Sequence, residues 1–207
     1  MEPNKLNSNI QSLKCPNCSA PIKLDSNTCD FCGYDYIIPN LSGLIGFKPT
    51  TINKYIAFYK NQLNDKPNDP LVNLALGICY LDLGLSEFAQ KYIKKAIDIT
   101  PENSDTYYYY AMSLLKGEKI KLAKISEIKE VEKFLEAAIK LYPSKYVYYY
   151  FQIIIKYEFY HRNGFKIEPS IESLREKLDP LVKDENEIKQ LIKQLNVDEE
   201  NARNIIS

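Results

Sequence analysis

Tryptophan is absent from this 207-residue chain, histidine occurs once and methionine twice. Glycines number seven, and no phosphate-cradling glycine loop, H-E-x-x-H or G-x-S-x-G pattern is among its motifs. The one histidine, His161, is followed by Arg162, Asn163 and Gly164. That order reads as a cation at a helix C-terminus beside a glycine cap. No nucleophile or orienting group accompanies it. No catalytic residue is therefore assigned, and an enzyme is not expected. Charge of one sign is also lacking: Lys+Arg and Asp+Glu both number 27. Dedicated nucleic-acid binders draw their affinity from an excess of basic side chains, so that class is disfavoured. No stretch reaches the ~20 apolar residues of a membrane span. The most apolar window, Tyr146 to Tyr160, contains Gln152, Lys156 and Glu158 and reads as a buried helix. Residues 1–12 are polar and asparagine-rich, without the apolar run of an export signal. They are expected to form a flexible N-terminus on a cytoplasmic protein.

Cysteine, by contrast, is organised. Four of the five cysteines form two Cys-x-x-Cys pairs, Cys15/Cys18 and Cys29/Cys32, separated by ten residues. Each pair places two thiolates on one tight turn, and two such turns complete a tetrahedral site with metal–sulfur bonds of ~2.3 Å. Pro16 stiffens the first turn and Gly33 follows the second. Disulfides suit exported chains, and a thioredoxin-like redox pair needs a βαβ setting; neither context is present. One structural Zn²⁺ held by Cys15, Cys18, Cys29 and Cys32 is expected, with no open position for catalysis. Residues 13–39 resemble a zinc ribbon, which implies short β-strands at Ile22–Leu24 and Tyr34–Ile38 around a turn at Asp25–Asn27. Ser19 departs from that pattern, which usually has glycine there. So few residues cannot bury enough apolar surface alone, so metal binding would supply much of the folding free energy. Cys79 lies on an apolar helix face and is expected in the core.

The middle of the chain repeats. Pro67 and Pro101 are 34 residues apart, and each precedes a polar turn and an apolar helix. Between them run Leu76-Gly77-x-x-Tyr80, Gly84, Ala89, Ile93 and Ala96. This stretch resembles a tetratricopeptide repeat, with Asn73 standing where a large apolar residue is typical. A second unit, Tyr107 to Pro143, carries about eight extra residues near 116–126, including Lys116, Lys119, Lys121 and Lys124. That insertion reads as a solvated loop or an anion- or partner-binding one. Thr51 to Asn64 fits the closing helix of a leading repeat, and Ser144 to Asn163 opens a divergent third. Ser170, Asp184 and Asp198 are candidate N-caps of later helices. The expected organisation is a ribbon at 13–39, a linker at 40–50, repeats at 51–180 and capping helices at 181–207. The fold class is mostly α: an α-solenoid of helix pairs with a small N-terminal β zinc ribbon.

Tyrosine numbers 17, eleven of them between Tyr107 and Tyr160. Neighbouring residues on a helix point about 100° apart, so runs such as Tyr107–Tyr110 and Tyr148–Tyr150 serve more than one face. The repeat resemblance implies that first helices line a concave groove. Carried onto this sequence, the groove is Leu71, Leu74 and Ile78, then Tyr108 and Met112, then Tyr150, Ile154 and Tyr157. Either a segment of another protein fills it, or the chain's own residues 40–48 or a terminal helix do. Charges at Tyr108 and Tyr150 should abolish partner capture without unfolding in the first case; collapse of melting would make both residues core. The function expected is a non-enzymatic protein–protein adaptor or scaffold, with a protein or peptide partner or a second copy of itself. The alternative is a nucleic-acid-associated accessory protein using the ribbon and Lys116–Lys124. A regulatory variant couples metal loss to groove access.

Overall fold

The computed structural model describes residues 14–21, 28–166 and 168–205. The segments expected at Ile22–Leu24 and Asp25–Asn27, and the N-terminal residues 1–12, lie outside the described residues. The chain is mostly α-helical: α1 (Pro49–Asp65), α2 (Pro70–Asp82), α3 (Ser86–Ile99), α4 (Ser104–Leu114), α5 (Ile125–Leu141), α6 (Tyr146–Ile155), α7 (Ile171–Leu178), α8 (Glu185–Gln194) and α9 (Glu199–Asn204). From α1 to α7 each helix packs on the next, the arrangement of a solenoid.

Local chemistry starts these helices where the sequence marks them. Asp69 accepts from the amides of Leu71 and Val72 before α2, and Asn103 from that of Asp105 before α4. Ser170, Asp184 and Asp198 cap α7, α8 and α9 with their side chains. Each such cap satisfies amides that the first turn leaves without partners. Asn73 is fully buried; its Nδ2 donates to the carbonyls of Pro67 and Asp69 and so staples the turn ahead of α2. Gly164 closes the helical run after His161 with φ at 71°.

The repeat is held by a close approach of α2 and α3. A Cβ built on Gly77 would stand 2.4 Å from Cγ1 of Ile93 and 3.3 Å from the carbonyl oxygen of Ala89. Ala89, Ile93 and Ala96 present fully buried side chains along α3. α6 is buried along its whole length and widens into a π-turn at Lys156–Tyr160. The charges within that turn are buried with partners: Lys156 with Glu132 at 2.7 Å, and Glu158 with Arg162 at 3.0 Å. The insertion between α4 and α5 is anchored by buried Ile120 and by Asn196, whose Nδ2 donates to the Gly117 carbonyl. Its lysines 116, 119, 121 and 124 stay exposed.

No β-strand forms among the described residues; the expected ribbon is limited there to single antiparallel bridges, Lys14 with Pro21 and Thr28 with Asp35. The backbone of residues 35–38 also bonds to helix α1. Tyr55 Oη on α1 donates to the Asp35 carbonyl at 3.2 Å, and the Ile38 amide donates to Tyr59 Oη at 2.9 Å. Both bonds tie this segment to helix α1. Within residues 40–50, expected as a linker, Leu41–Leu44 forms a 3₁₀ turn with Leu41 and Leu44 buried, and α1 begins at Pro49.

Two outcomes are expected. Gly77→Ala gains about 1 kcal/mol of helix propensity. It loses about 1–3 kcal/mol to overpacking against Ile93. Melting should therefore fall, and Ile93→Val, which keeps a carbon at the Cγ1 position, should not restore it. Separately, desolvation raises the phenols of Tyr55, Tyr59, Tyr108, Tyr109, Tyr148 and Tyr150. An unfolded tyrosine ionises near pH ~10, so the folded state holds these protons more tightly. Stability should be full below that pH and be lost as pH rises beyond it, with tyrosinate absorbance appearing as the helical signal disappears.

Candidate functional site

The two Cys-x-x-Cys turns have the same local geometry. In the first, the Cys15 amide donates to the Ala20 carbonyl and the Ser19 amide to that of Cys15. In the second, Cys29 donates to Tyr34 and Gly33 to Cys29. The residue after each second cysteine is left-handed, with φ of 65° at Ser19 and 71° at Gly33. Glycine takes that conformation freely and serine takes it at some cost, which accounts for the serine departure.

These turns bring Cys15, Cys18, Cys29 and Cys32 together, all four sulfurs lying within 4.8 Å of one another. Cys15 Sγ is 3.8 Å from Cys32 Sγ, and Cys18 Sγ is 3.6 Å from Cys29 Sγ. A disulfide would need ~2.05 Å. A tetrahedron with metal–sulfur bonds of ~2.3 Å has edges of about 3.8 Å. The cluster could therefore hold a metal ion in a four-sulfur shell. Burial pushes the Cys15 thiol up to about 12. Cys29 is desolvated as well, but the amides of Phe31 and Cys32 and hydrogen bonds from Cys18 and Cys32 outweigh that and bring it down to about 6.

The cluster rests on an aromatic platform. Tyr34 packs on Phe47 with ring centroids 5.3 Å apart, Phe47 on Tyr55 at 5.6 Å, and Tyr55 on Tyr59 at 5.9 Å. Tyr55 and Tyr59 are fully buried on α1. The chain after the cysteines is then led across to α4, where the Leu41 amide donates to Tyr109 Oη at 3.3 Å. The segment Thr51 to Asn64 was readable as a helix, but nothing in it pointed to Tyr55 and Tyr59 hydroxyls that organise residues 35–41. Tyr109 lay inside a tyrosine run and was not singled out.

The residues expected to line the groove are placed as follows. Leu74, Ile78, Tyr108, Met112, Tyr150 and Ile154 are buried, Tyr157 is half-buried, and Leu71 is 58% exposed. The 3₁₀ turn Leu41–Leu44 packs against α2 and α8, and α8 also packs on α6. Ion pairs show the course of α8 over this face. Glu187 meets Lys145 ahead of α6 at 2.6 Å, and Lys193 meets Asp82 at the end of α2 at 2.8 Å. The chain's own residues thus occupy most of the face. Charges at Tyr108 or Tyr150 would be buried without partners, so unfolding is the outcome to expect there. What stays open is a mouth of about 450 Å³ between Ile37, Ile38, Pro39, Leu71 and Leu74, bordered by Asp35, Asn103 and Asp105. His161 is exposed and stacks on Tyr157 at 5.1 Å. Cys79 is fully buried, as expected of a core residue, and burial pushes its thiol up to about 12.

No family model matches the chain. A stretch of 58 residues, 28% of this chain, is 38% identical to the Sol locus transcriptional repressor of Clostridium acetobutylicum and spans 18% of that protein's length. The crystal structure of MamA superposes with a TM-score of 0.47 at 20% identity, covering 74% of this chain and 92% of that one. The fold described above rests on the chain's own helices. Among the described residues, no helix is long and apolar enough to cross a membrane.

Two tyrosines of α6 separate packing from hydrogen bonding. Tyr148 Oη donates to Asp105 Oδ1 at 2.6 Å, whereas the buried hydroxyl of Tyr150 has no partner. Tyr148→Phe should cost about 1.5–3 kcal/mol, the range for a hydrogen bond to a charged group. Tyr150→Phe should leave the melting temperature unchanged or raise it. Urea unfolding of the two variants checks both outcomes.

Proposed function

We propose that this chain is a non-enzymatic adaptor that takes a short apolar segment of another protein at the inner face of its helical repeats. The observation that carries this reading is the partial cover. The face is apolar and aromatic, the Leu41–Leu44 turn and α8 occupy most of it, and Leu71 with Ile37 leaves an apolar mouth at its edge. An incoming segment would enter at the mouth and extend toward the site of the Leu41–Leu44 turn.

In the same reading the four cysteines hold one structural Zn²⁺. All four thiolates would ligate, which leaves no position for a substrate. The group supplies cross-linking: it ties the two turns together and holds residues 35–41 against α1 and α4. A reducing, cytoplasmic setting keeps such thiols available. A second copy of the chain is the other partner that the mouth would accept.

Leu71→Asp tests the partner reading. An acidic residue in the first turn of α2 is favoured by the helix dipole, so melting should hold. A partner captured by the wild-type chain from its native cell should be lost by this variant and retained at high salt. Equal capture by both chains would overturn the reading, and nuclease-sensitive, salt-sensitive capture would favour the nucleic-acid alternative. Metal content should be one zinc per chain by elemental mass spectrometry. Chelation should lower the melting temperature and speed hydrogen exchange at Ile38 and Leu41 before it affects α2–α5. A chain purified without zinc, with unchanged exchange on chelation, would remove the metal from this account.

A further inference from the structure

Helix α8 departs from the order of the repeats. From α1 to α7 each helix packs on the next, whereas α8 turns back across the inner face, onto α6 and the Leu41–Leu44 turn. Residues 179–184, which lead into it, form no helix, and Val182 among them is 91% exposed. α8 is thus a helix on a tether, seated on a face that the earlier helices build. Ile188, Leu191, Ile192 and Leu195 are its buried side chains. Their i, i+3, i+4, i+7 spacing gives one apolar stripe. An ion pair of opposite sense marks each end. Glu187 in the first turn meets Lys145 at 2.6 Å, and Lys193 in the last turn meets Asp82 at 2.8 Å. Lys145 precedes α6 and Asp82 ends α2. The two together set both the direction and the register of a helix lying on this face.

The fit of α8 is incomplete. Gln190 Oε1 on α8, Ser42 Oγ on the turn it packs against and the hydroxyl of Tyr150 on α6 are buried without partners. Burial and the neighbouring Tyr146 raise the Tyr150 phenol, and the other charges acting on it are those of Arg203, Glu185 and Glu199 in α8 and α9. Its hydroxyl therefore belongs to the same seam. Each buried polar atom left unpaired carries a desolvation cost. The Lys193 pair is also open to water, with the lysine 57% exposed, and a pair so placed adds little. α8 holds this face less tightly than a helix that matched it in full.

We infer that α8 is a resident substitute for a partner helix. The occupant is an amphipathic helix of another protein with an acidic residue in its first turn, an apolar i, i+3, i+4, i+7 stripe and a basic residue in its last turn. An apolar residue at the Gln190 position improves the match. α8 leaves its seat when that helix binds. The inference rests on the adaptor reading above and adds the partner's secondary structure and charge order. A segment extending from the mouth toward the Leu41–Leu44 turn meets α8 next, because that turn packs on α8.

The test uses full-length chains and a fluorescent peptide spanning Lys183 to Ile205, followed by anisotropy. In the wild-type chain the tether keeps α8 at an effective concentration on the order of mM, so the free peptide should compete poorly. In Glu187→Lys with Lys193→Glu, both ends of the tethered helix face like charges, while Lys145 and Asp82 stay available to the peptide. Binding should be at least about tenfold tighter than to wild type, as two pairs turned from attraction to repulsion imply. Adding Lys145→Glu and Asp82→Lys restores both pairs within the chain and should return binding to the wild-type level. Gln190→Leu in the wild-type chain should raise melting and weaken peptide binding further. Equal binding to wild type and the double variant, or no saturable binding to the double variant, would overturn the proposal. So would loss of the whole helical signal in the double variant, which would make α8 part of the core. A wild-type dimer in sedimentation that Lys145→Glu breaks would give the seat to a second copy and overturn it as well. The outcome is separable from that of Leu71→Asp: peptide exchange together with unchanged partner capture removes the mouth and keeps this seat, and the converse removes only this inference.

Discussion

Three tyrosine hydroxyls take up the backbone of residues 35–41, and the placement of the described residues just ahead of α1 depends on them. Tyr55 donates to the Asp35 carbonyl, Tyr59 accepts from the Ile38 amide and Tyr109 accepts from the Leu41 amide. A segment that crosses a helical surface without a strand or helix of its own must still satisfy its polar backbone groups. Here side chains of α1 and α4 do so. The bonds hold the cysteine turns on the aromatic platform of α1 and set the Leu41–Leu44 turn over the inner face. Replacing these tyrosines with phenylalanine-like surface would keep the apolar area and lose the register.

The same residue type carries the rest of the core, in a different balance. Tyr148 and Tyr160 reach carboxylates, Asp105 and Glu132. Tyr150 is buried with no partner for its hydroxyl. A phenol that finds a partner adds specificity to the area it buries, while one that does not carries a desolvation cost. With no tryptophan in the chain, tyrosine supplies most of its large aromatic surface. Its excess in α4 and α6 reflects packing between helices and toward the covering segment.

Much of this was legible from residues alone. The paired Cys-x-x-Cys turns located the sulfur cluster because local spacing determines the reach of each thiol. The Leu76-Gly77-x-x-Tyr80 pattern with Ala89 and Ile93 located a helix pair because small residues are needed where two backbones approach. The caps at Ser170, Asp184 and Asp198 are one-turn effects and were read directly. The course of residues 35–38 was not: a strand was expected at Tyr34–Ile38, and the Asp35 carbonyl and Ile38 amide instead bond tyrosines about 20 positions away. The exposure of the groove residues was not legible either. Helical periodicity tells which residues share a face, and it is silent on whether a distant segment lies across that face.

Sequence by itself determined the helix pairs, their ends and the identity of the four clustered thiols. Each of these depends on interactions within a few residues or on a repeat that stacks on its neighbour. Only the tertiary structure decided that Leu41–Leu44 and α8 cover the inner face, leaving Leu71 at an open edge. Contacts of that kind join residues with no common period, and their partners are set by how the helices stack.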